Sequence, residues 1–556
     1  MKLTGSDIIL RTLIDQGCDT VFGYPGGQVI NIYDSLYKYQ DELRHVLTAH
    51  EQGASHAADG YARATGKVGV CIATSGPGAT NLVTGIATAY IDSIPMVAIT
   101  GYVPNSVIGT DGFQEIDITG ITLPITKHNY FVSSIDVLAD TIREAFRLAA
   151  SGRPGPVLVD VPKDVQTAVF DYEPEAPVEP DPRHAAKDVR IEQAAAIINA
   201  AKKPFIYFGG GMISSGAQEE LLALADRIDA PMGCSLMGLS AVPTDHPRFL
   251  GMQGMHGHYA SSVSMHHADC IIALGGRFND RVTGNRAKFA VGAKIVHIDI
   301  DGAELNKTVN AACALRGDLK LTLQKLLPLL TQVSRPEWQA EVAKYRAEEV
   351  ENQDHRPGMT PKNVIEALNR YLDADTPVAT DVGQHQMWAA QYVNLKKNRR
   401  FISSGGLGTM GFGMGAAMGA SLATGQRSVL ITGDGSFGMN LNELATAVAN
   451  KIPMVILLMN NNVLGMVRQW QTLFFNKHYS NTMLDIRQTD FVKLAQAFGA
   501  NASRAFTLEE LEDGLKTAFA CDGPYLIDCA IGMDEFVLPM LPPGGSMDDI
   551  ITRIGD

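Results

Sequence analysis

Along this chain, short and mostly apolar runs alternate with segments whose apolar residues fall at helical spacing. Ser428 to Thr432 (Ser-Val-Leu-Ile-Thr) has the length of a buried strand, and Gly433 to Gly438 reads as a turn. Leu441, Leu444, Ala445 and Val448 then recur at the i, i+3, i+4, i+7 positions of an amphipathic helix, with Asn440 placed to cap it. Pro453 to Met459 supplies a second buried run, followed by Asn460, Asn461 and Asn462. The same rhythm occurs earlier, in Val68 to Thr74, a glycine turn, a helical stretch from Asn81 to Tyr90, and Pro95 to Thr100. Repeated strand, helix, strand units predict parallel sheets with helices on both faces.

Two breaks interrupt the rhythm. Tyr172 to Pro182 is rich in Pro and Glu, and a charged helical link runs between Arg335-Pro336-Glu337 and Arg356-Pro357-Gly358. With 556 residues the chain exceeds one hydrophobic core. The expected class is therefore α/β, with three doubly wound parallel-sheet domains over residues 1–168, 188–332 and 360–532 and a tail over 533–556. Ile94-Pro95-Met96-Val97 recurs as Ile452-Pro453-Met454-Val455, each after a glycine turn and a helix, which points to duplication of the first domain in the third.

Composition narrows the class. Hydrophobic residues make up 46% and charged residues 19%, as in a well-buried globular protein. A net charge of −14 without a basic stripe argues against a nucleic-acid partner. Seven cysteines lie scattered with no Cys-x-x-Cys pair, the pattern of reduced thiols in a cytoplasmic protein. The amino terminus passes directly into a helical pattern (Ile8, Leu10, Leu13, Ile14), so no signal peptide is expected. Val68–Ile91 and Phe401–Gln426 are uncharged, but Gly, Ser and Thr stud both, and they read as buried backbone near a cofactor rather than as membrane spans.

The chemistry concentrates after the two strands of the third block. Asp434 follows one and Asn461 the next, so their oxygens can meet at neighbouring strand ends, where a hard cation bridges them to a diphosphate. A lone Gly-Asp-Gly is usually only a turn. The paired asparagines are what raise it to a candidate metal-diphosphate site.

Gly433-Asp434-Gly435 with Asn460-Asn461 resembles the cofactor motif of thiamine-diphosphate enzymes. The resemblance implies Mg²⁺ bound by the side chains of Asp434 and Asn461 and the carbonyl of Val463, with Ser436, Gly465 and Met466 close to the cofactor. It implies a pyrimidine-binding first domain, in which Tyr24, Pro25 and Gly26 form a loop and Glu51, in Ala49-His50-Glu51-Gln52-Gly53, hydrogen-bonds the pyrimidine ring and drives its tautomerisation. From the residues alone Glu51 also reads as a solvated helix-end glutamate. In the diphosphate-binding third domain, Gly383, Gln384 and His385 fall to the diphosphate, Val382 to the reacting centre, and Gly408 and Met410 to the aminopyrimidine.

Further segments resemble the acetohydroxyacid synthases, within that family. Gly465-Met466-Val467-Arg468-Gln469-Trp470 places Met466 and Trp470 on one helical face, where an aromatic can size a small alkyl group; Trp470 also reads as plain core. Arg277-Phe278-Asn279-Asp280-Arg281-Val282-Thr283-Gly284 matches that family's run apart from Asn279. By resemblance Arg281 grips a 2-ketoacid carboxylate and Arg277 contacts a flavin, although either arginine alone also fits a surface ion pair. Gly112-Phe113-Gln114-Glu115, apart from its first residue, matches a segment that sends Phe113 and Gln114 into a neighbouring subunit's pocket, and Lys163 stands at that pocket's entrance.

The resemblance also implies FAD in the central domain, on Arg153, Gly209, Gly210, Gly211, Met255, His256, Gly257, Arg277, Asp299, Asp301 and Asp318. Gly413-Met414-Gly415 and Asn462 depart from the usual pattern without removing a ligand. The implied activity is decarboxylative condensation of pyruvate with a second 2-ketoacid, in a homodimer or tetramer with shared active sites and a regulatory small subunit as a candidate partner. Rival readings are a flavin-reducing enzyme of the pyruvate oxidase type, an FAD-independent catabolic acetolactate synthase, and a non-catalytic scaffold. The Arg-Phe-x-Asp-Arg and Phe-Gln-Glu segments argue against the second, and an intact Glu51 with the metal motif argues against the third.

Overall fold

The computed structural model describes residues 1–554; the last two positions of the expected tail lie outside the described residues. It contains three sheets of six strands, each parallel throughout, together with one antiparallel pair. In the first sheet the strands lie side by side as Arg44–Leu47, Thr20–Gly23, Gly69–Ala73, Met96–Tyr102, Pro156–Pro162, His128–Phe131. The third runs Phe401–Ile402, Val378–Thr380, Ser428–Gly433, Met454–Asn460, Pro524–Ala530, Asn501–Ala505. Ranked in chain order within each sheet, both read 2-1-3-4-6-5. The duplication suggested by a four-residue repeat is thus present as a shared topology.

The central sheet is different. Its order is Phe249–Met252, Met232–Cys234, Pro204–Phe208, Cys270–Leu274, Lys294–Asp299, Cys313–Arg316, which ranks 3-2-1-4-5-6. Sheets with this order open a crevice at the carboxyl ends of the two strands where the winding reverses, and dinucleotides bind there. Here those strands are Pro204–Phe208 and Cys270–Leu274, each running into glycines (Gly209 to Gly211, Gly275 and Gly276).

The expected domain edges shift at two points. Lys2–Thr4 pairs with Val169–Asp171, so the first domain continues past residue 168. The charged link is a helix, Pro336–Asn352, but it belongs to the central domain, because Trp338 is buried and its indole N–H donates to the Pro204 carbonyl (3.0 Å). The turn expected at Gly433–Gly438 is the helix Asp434–Asn440, and the next helix starts at Glu443. Asn440 therefore does not cap; its amide donates to the Gly411 carbonyl (2.8 Å). Among the described residues no helix is long and apolar enough to cross a membrane.

The uncharged stretch around 401–426 proves to be the seam of the molecule. Its helix Phe412–Thr424 lies against Glu51–Thr65 of the first domain at backbone distance. A Cβ at Gly60 would run into the Ala416 backbone and one at Gly419 into that of Ala57, so glycine is required for this approach.

Candidate active site

Strands Ser428–Gly433 and Met454–Asn460 pair with Gly433 opposite Met459, so Asp434 and Asn461 emerge together at one carboxyl edge of the third sheet. Three helices begin there: Gln384–Tyr392, Asp434–Asn440 and Gly465–Phe474. Their unpaired N–H groups and dipoles favour an anion. Asp434 and Asn461 are each only 6% exposed, and burial pushes the Asp434 carboxyl up to about 6 against the pull of nearby backbone N–H groups. A bound cation would reverse that shift.

The donor set fits Mg²⁺. A carboxylate, a carboxamide and the backbone carbonyl of Val463 are hard oxygen ligands, and among the described residues no cluster of three His, Cys, Asp or Glu side chains offers a rival site. Asn461 is oriented by donating Nδ2–H to Gln384 Oε1 (3.3 Å), while its Oδ1 accepts from the Val463 N–H (3.3 Å). His385 fits a diphosphate. Burial drives its ring down to about 3, keeping it neutral, and its buried Nε2 has no hydrogen-bond partner. Gly433 and Gly383 both face that ring, where a Cβ would crowd it.

The loop carrying Gly408 and Met410 is pinned by residues that the sequence reading did not single out. Asp381 is buried and accepts the Gly411 N–H (2.7 Å) and the Thr432 hydroxyl (3.2 Å). Asp92, from the first domain, accepts the N–H groups of Gly405 (3.0 Å) and Gly406 (2.7 Å), and Arg63 Nη2 donates to it (3.0 Å). Arg63 also pairs with Asp59 one helical turn earlier. That i, i+4 pair is visible in the sequence, but its burial is not.

A cavity of about 870 Å³ joins this edge to the central domain. Gly210, Gly211, Arg153, Met255, His256, Arg277 and Asp299 line one end, at the point where the winding reverses, and Val382, Gly383, Gly408, Met410, Met466 and Trp470 line the other. Burial pushes the Asp299 carboxyl up to about 6 and the His256 ring down to about 4. Of the remaining residues assigned to FAD, Gly209, Gly257, Asp301 and Asp318 stand behind this wall. Asp301 pairs with Arg153 (3.0 Å), and Asp318 caps the helix Leu319–Leu326. Arg281 lines the cavity with its guanidinium 5.9 Å from the Trp470 ring. Asn279, the departure from the family run, caps the short helix Asp280–Thr283 through its side-chain oxygen, a role asparagine and aspartate share.

Residues assigned to the first domain gather elsewhere. Glu51 opens the helix Glu51–Thr65, half-buried, and accepts from the amide of Asn81 (2.9 Å). Tyr24 is exposed, Phe113 is 84% exposed, Gln114 has a left-handed backbone (φ 63°), and Lys163 donates to the Gly27 carbonyl (3.1 Å). Neither Glu51 nor Tyr24, Pro25, Gly26, Phe113, Gln114 or Lys163 lines the cavity.

The tail packs along the cavity's third-domain side. Gln384 donates to the Glu535 carbonyl (2.7 Å), Gln469 to that of Val537 (3.1 Å) and Gln391 to that of Leu538 (3.1 Å), and the Leu541 N–H reaches the Met255 carbonyl in the central domain (2.8 Å).

Family profiles match all three domains: the thiamine pyrophosphate enzyme N-terminal TPP binding domain over residues 3–121, the central domain over 191–326, and the C-terminal TPP binding domain over 381–529. The acetolactate synthase isozyme 2 large subunit of Escherichia coli is 46% identical, over 99% of this chain and 100% of that protein. The probable acetolactate synthase large subunit of Methanocaldococcus jannaschii is 45% identical over 99% and 96% of the two chains, and the acetolactate synthase large subunit of Corynebacterium glutamicum 45% over 100% and 91%. With likeness along its whole length, the chain belongs to the thiamine pyrophosphate enzymes and, among them, to the acetolactate synthase large subunits.

Proposed function

We propose that this protein condenses pyruvate with a second 2-ketoacid, giving 2-acetolactate from two pyruvates and 2-aceto-2-hydroxybutyrate when 2-ketobutyrate is the acceptor, in branched-chain amino acid biosynthesis. The observation that carries the reading is the convergence of Asp434, Asn461, three helix starts and the unpartnered His385 Nε2 on one carboxyl edge of the third sheet, next to Val382, Gly383 and Met466, which line the large cavity. Thiamine diphosphate, when bound, supplies the nucleophilic carbon at which pyruvate loses carbon dioxide and from which the two-carbon remainder passes to the acceptor.

The chain's residues do the rest. Asp434, Asn461 and the Val463 carbonyl would hold Mg²⁺, while His385 and the helix N-termini at Gln384 and Gly465 receive the diphosphate. Gly408, Met410 and Val382 support the heterocycles. Arg281 takes the acceptor's carboxylate beside Trp470, which bounds the space for its alkyl group. Glu51 shares a proton with the pyrimidine ring nitrogen. Because Glu51, Phe113, Gln114 and Lys163 do not line the cavity of their own chain, we assign them to the site of a second copy, which makes a homodimer the smallest active unit. FAD fits the switch-point end of the cavity, and a small regulatory subunit is the further partner that the words "large subunit" in the relatives' names suggest.

A product assay tests the reading. Acetolactate is expected from pyruvate only when thiamine diphosphate and Mg²⁺ are both present, with the mixed product appearing on addition of 2-ketobutyrate. Release of acetate with stoichiometric bleaching of bound flavin would instead make the protein an oxidase.

A further inference from the structure

The roles above leave one fully buried acid unexplained. Glu443, at the start of the third-domain helix Glu443–Ala449, is 0% exposed, yet its carboxylate serves the first domain. Its Oε2 accepts the backbone N–H of Ala49 (3.1 Å) and its Oε1 that of His50 (2.9 Å), while the Thr446 hydroxyl donates to Oε2 (2.7 Å). These two N–H groups immediately precede Glu51, the first residue of the helix Glu51–Thr65. His50 completes the cap by accepting the Gln52 N–H at Nδ1 (3.1 Å). Gly53 leaves room for the arrangement, since a methyl group there would overlap the Glu443 carboxylate. Burial raises the Glu443 carboxyl above its ordinary range, and its hydrogen bonds from Thr446, Ala49 and His50 oppose that rise.

We infer that Glu443 is a positioning residue for Glu51: by clamping the backbone at residues 49 and 50 from across the domain seam, it fixes where the Glu51 carboxyl points. The inference rests on the reading of Glu51 as the acid that serves the thiamine pyrimidine. A carboxylate has two oxygens and meets two N–H groups here, whereas the isosteric amide would set an NH₂ against one of them. Glu443 also follows, after Leu441 and Asn442, the helix that Asp434 opens, so the ten residues from 434 to 443 hold a cation ligand at one end and the Glu51 helix at the other.

The test measures how fast the C2 proton of bound thiamine diphosphate exchanges with deuterium in the Mg²⁺-loaded protein, by acid quench and proton NMR, normalised to the cofactor bound. Glu443→Gln is expected to slow exchange by about tenfold or more, up to the roughly 10²–10⁴-fold that a positioned acid contributes. Glu443→Asp should recover part of the rate. Gly53→Ala, which displaces the carboxylate without removing it, should reproduce the defect and stands in if Glu443→Gln does not fold. Wild-type exchange per bound cofactor in folded Glu443→Gln or Gly53→Ala overturns the inference. Glu51→Gln is run alongside: if it too exchanges at the wild-type rate, the reading of Glu51 itself falls, whereas slow exchange in Glu51→Gln with wild-type exchange in Glu443→Gln removes only the role of Glu443.

Discussion

Asp434 sits where a carboxylate without a cation is disfavoured, and its raised pKa records that strain. Removing it should leave the cofactor-free fold at least as stable while abolishing cofactor retention. We expect Asp434→Ala to keep or raise the Tm of the apoprotein and to weaken Mg²⁺-dependent thiamine diphosphate binding by at least roughly 10–100-fold, as loss of metal-site interactions does; calorimetry on the two proteins reads both. Glu51 differs, since its carboxyl has one side-chain partner, Asn81. Glu51→Gln should fold as wild type and lose about 10²–10⁴-fold in turnover, measured as acetolactate formed per bound cofactor. Both residues are legible in the sequence because their chemistry needs a given residue type after a given strand or motif. Asp381, Asp92 and Glu443 are not, because an acid that accepts backbone N–H groups from a segment far along the chain leaves no local pattern.

At the scale of elements, strands were the most readable feature, since residues buried on both faces of a parallel sheet form solid apolar runs. The turn expected at Gly433–Gly438 was misread because glycine and aspartate favour turns locally, whereas the sheet edge and the helix Phe412–Thr424 packed over it hold this stretch helical. That helix meets Glu51–Thr65 so closely that Gly419→Val should destabilise the protein by about 1–3 kcal/mol or more through overpacking, seen as a lowered denaturant midpoint. Within the first sheet, Thr100 faces Asp160 across neighbouring strands and donates to it (2.7 Å). Burial pushes the Asp160 carboxyl up to about 8 from an ordinary 3.8. The native state therefore keeps a proton that the unfolded chain loses, and stability falls as pH rises through that window. Asp160→Asn mimics the protonated acid, so its Tm advantage over wild type should widen from about pH 4 to about pH 8 and then level off; a Tm difference independent of pH would contradict this.

For the whole molecule, the proposal that decides most is the assignment of Glu51, which does not line the cavity of its own chain, to the site of a second copy. If two copies share each site, Glu51→Gln and Asp434→Ala, inactive alone, should complement when co-refolded. Half the dimers would then be mixed, each with one intact site, restoring about a quarter of wild-type activity. Absence of restored activity in mixed dimers would place the acid and the cation in the same chain's site.

The amino-acid sequence by itself determined the secondary-structure rhythm and three α/β domains, and it supplied the candidate groups for a cation and a diphosphate, because hydrophobic periodicity and ligand type are properties of neighbouring residues. Only the tertiary structure decided the strand orders, which make the first and third sheets alike and give the central one a dinucleotide crevice. It also decided which residues line the cavity, Glu51 and Lys163 not among them, and which buried acids tie the domains together. Those outcomes depend on how far-separated segments pack, and packing is set by the shapes of whole faces rather than by any local run of residues.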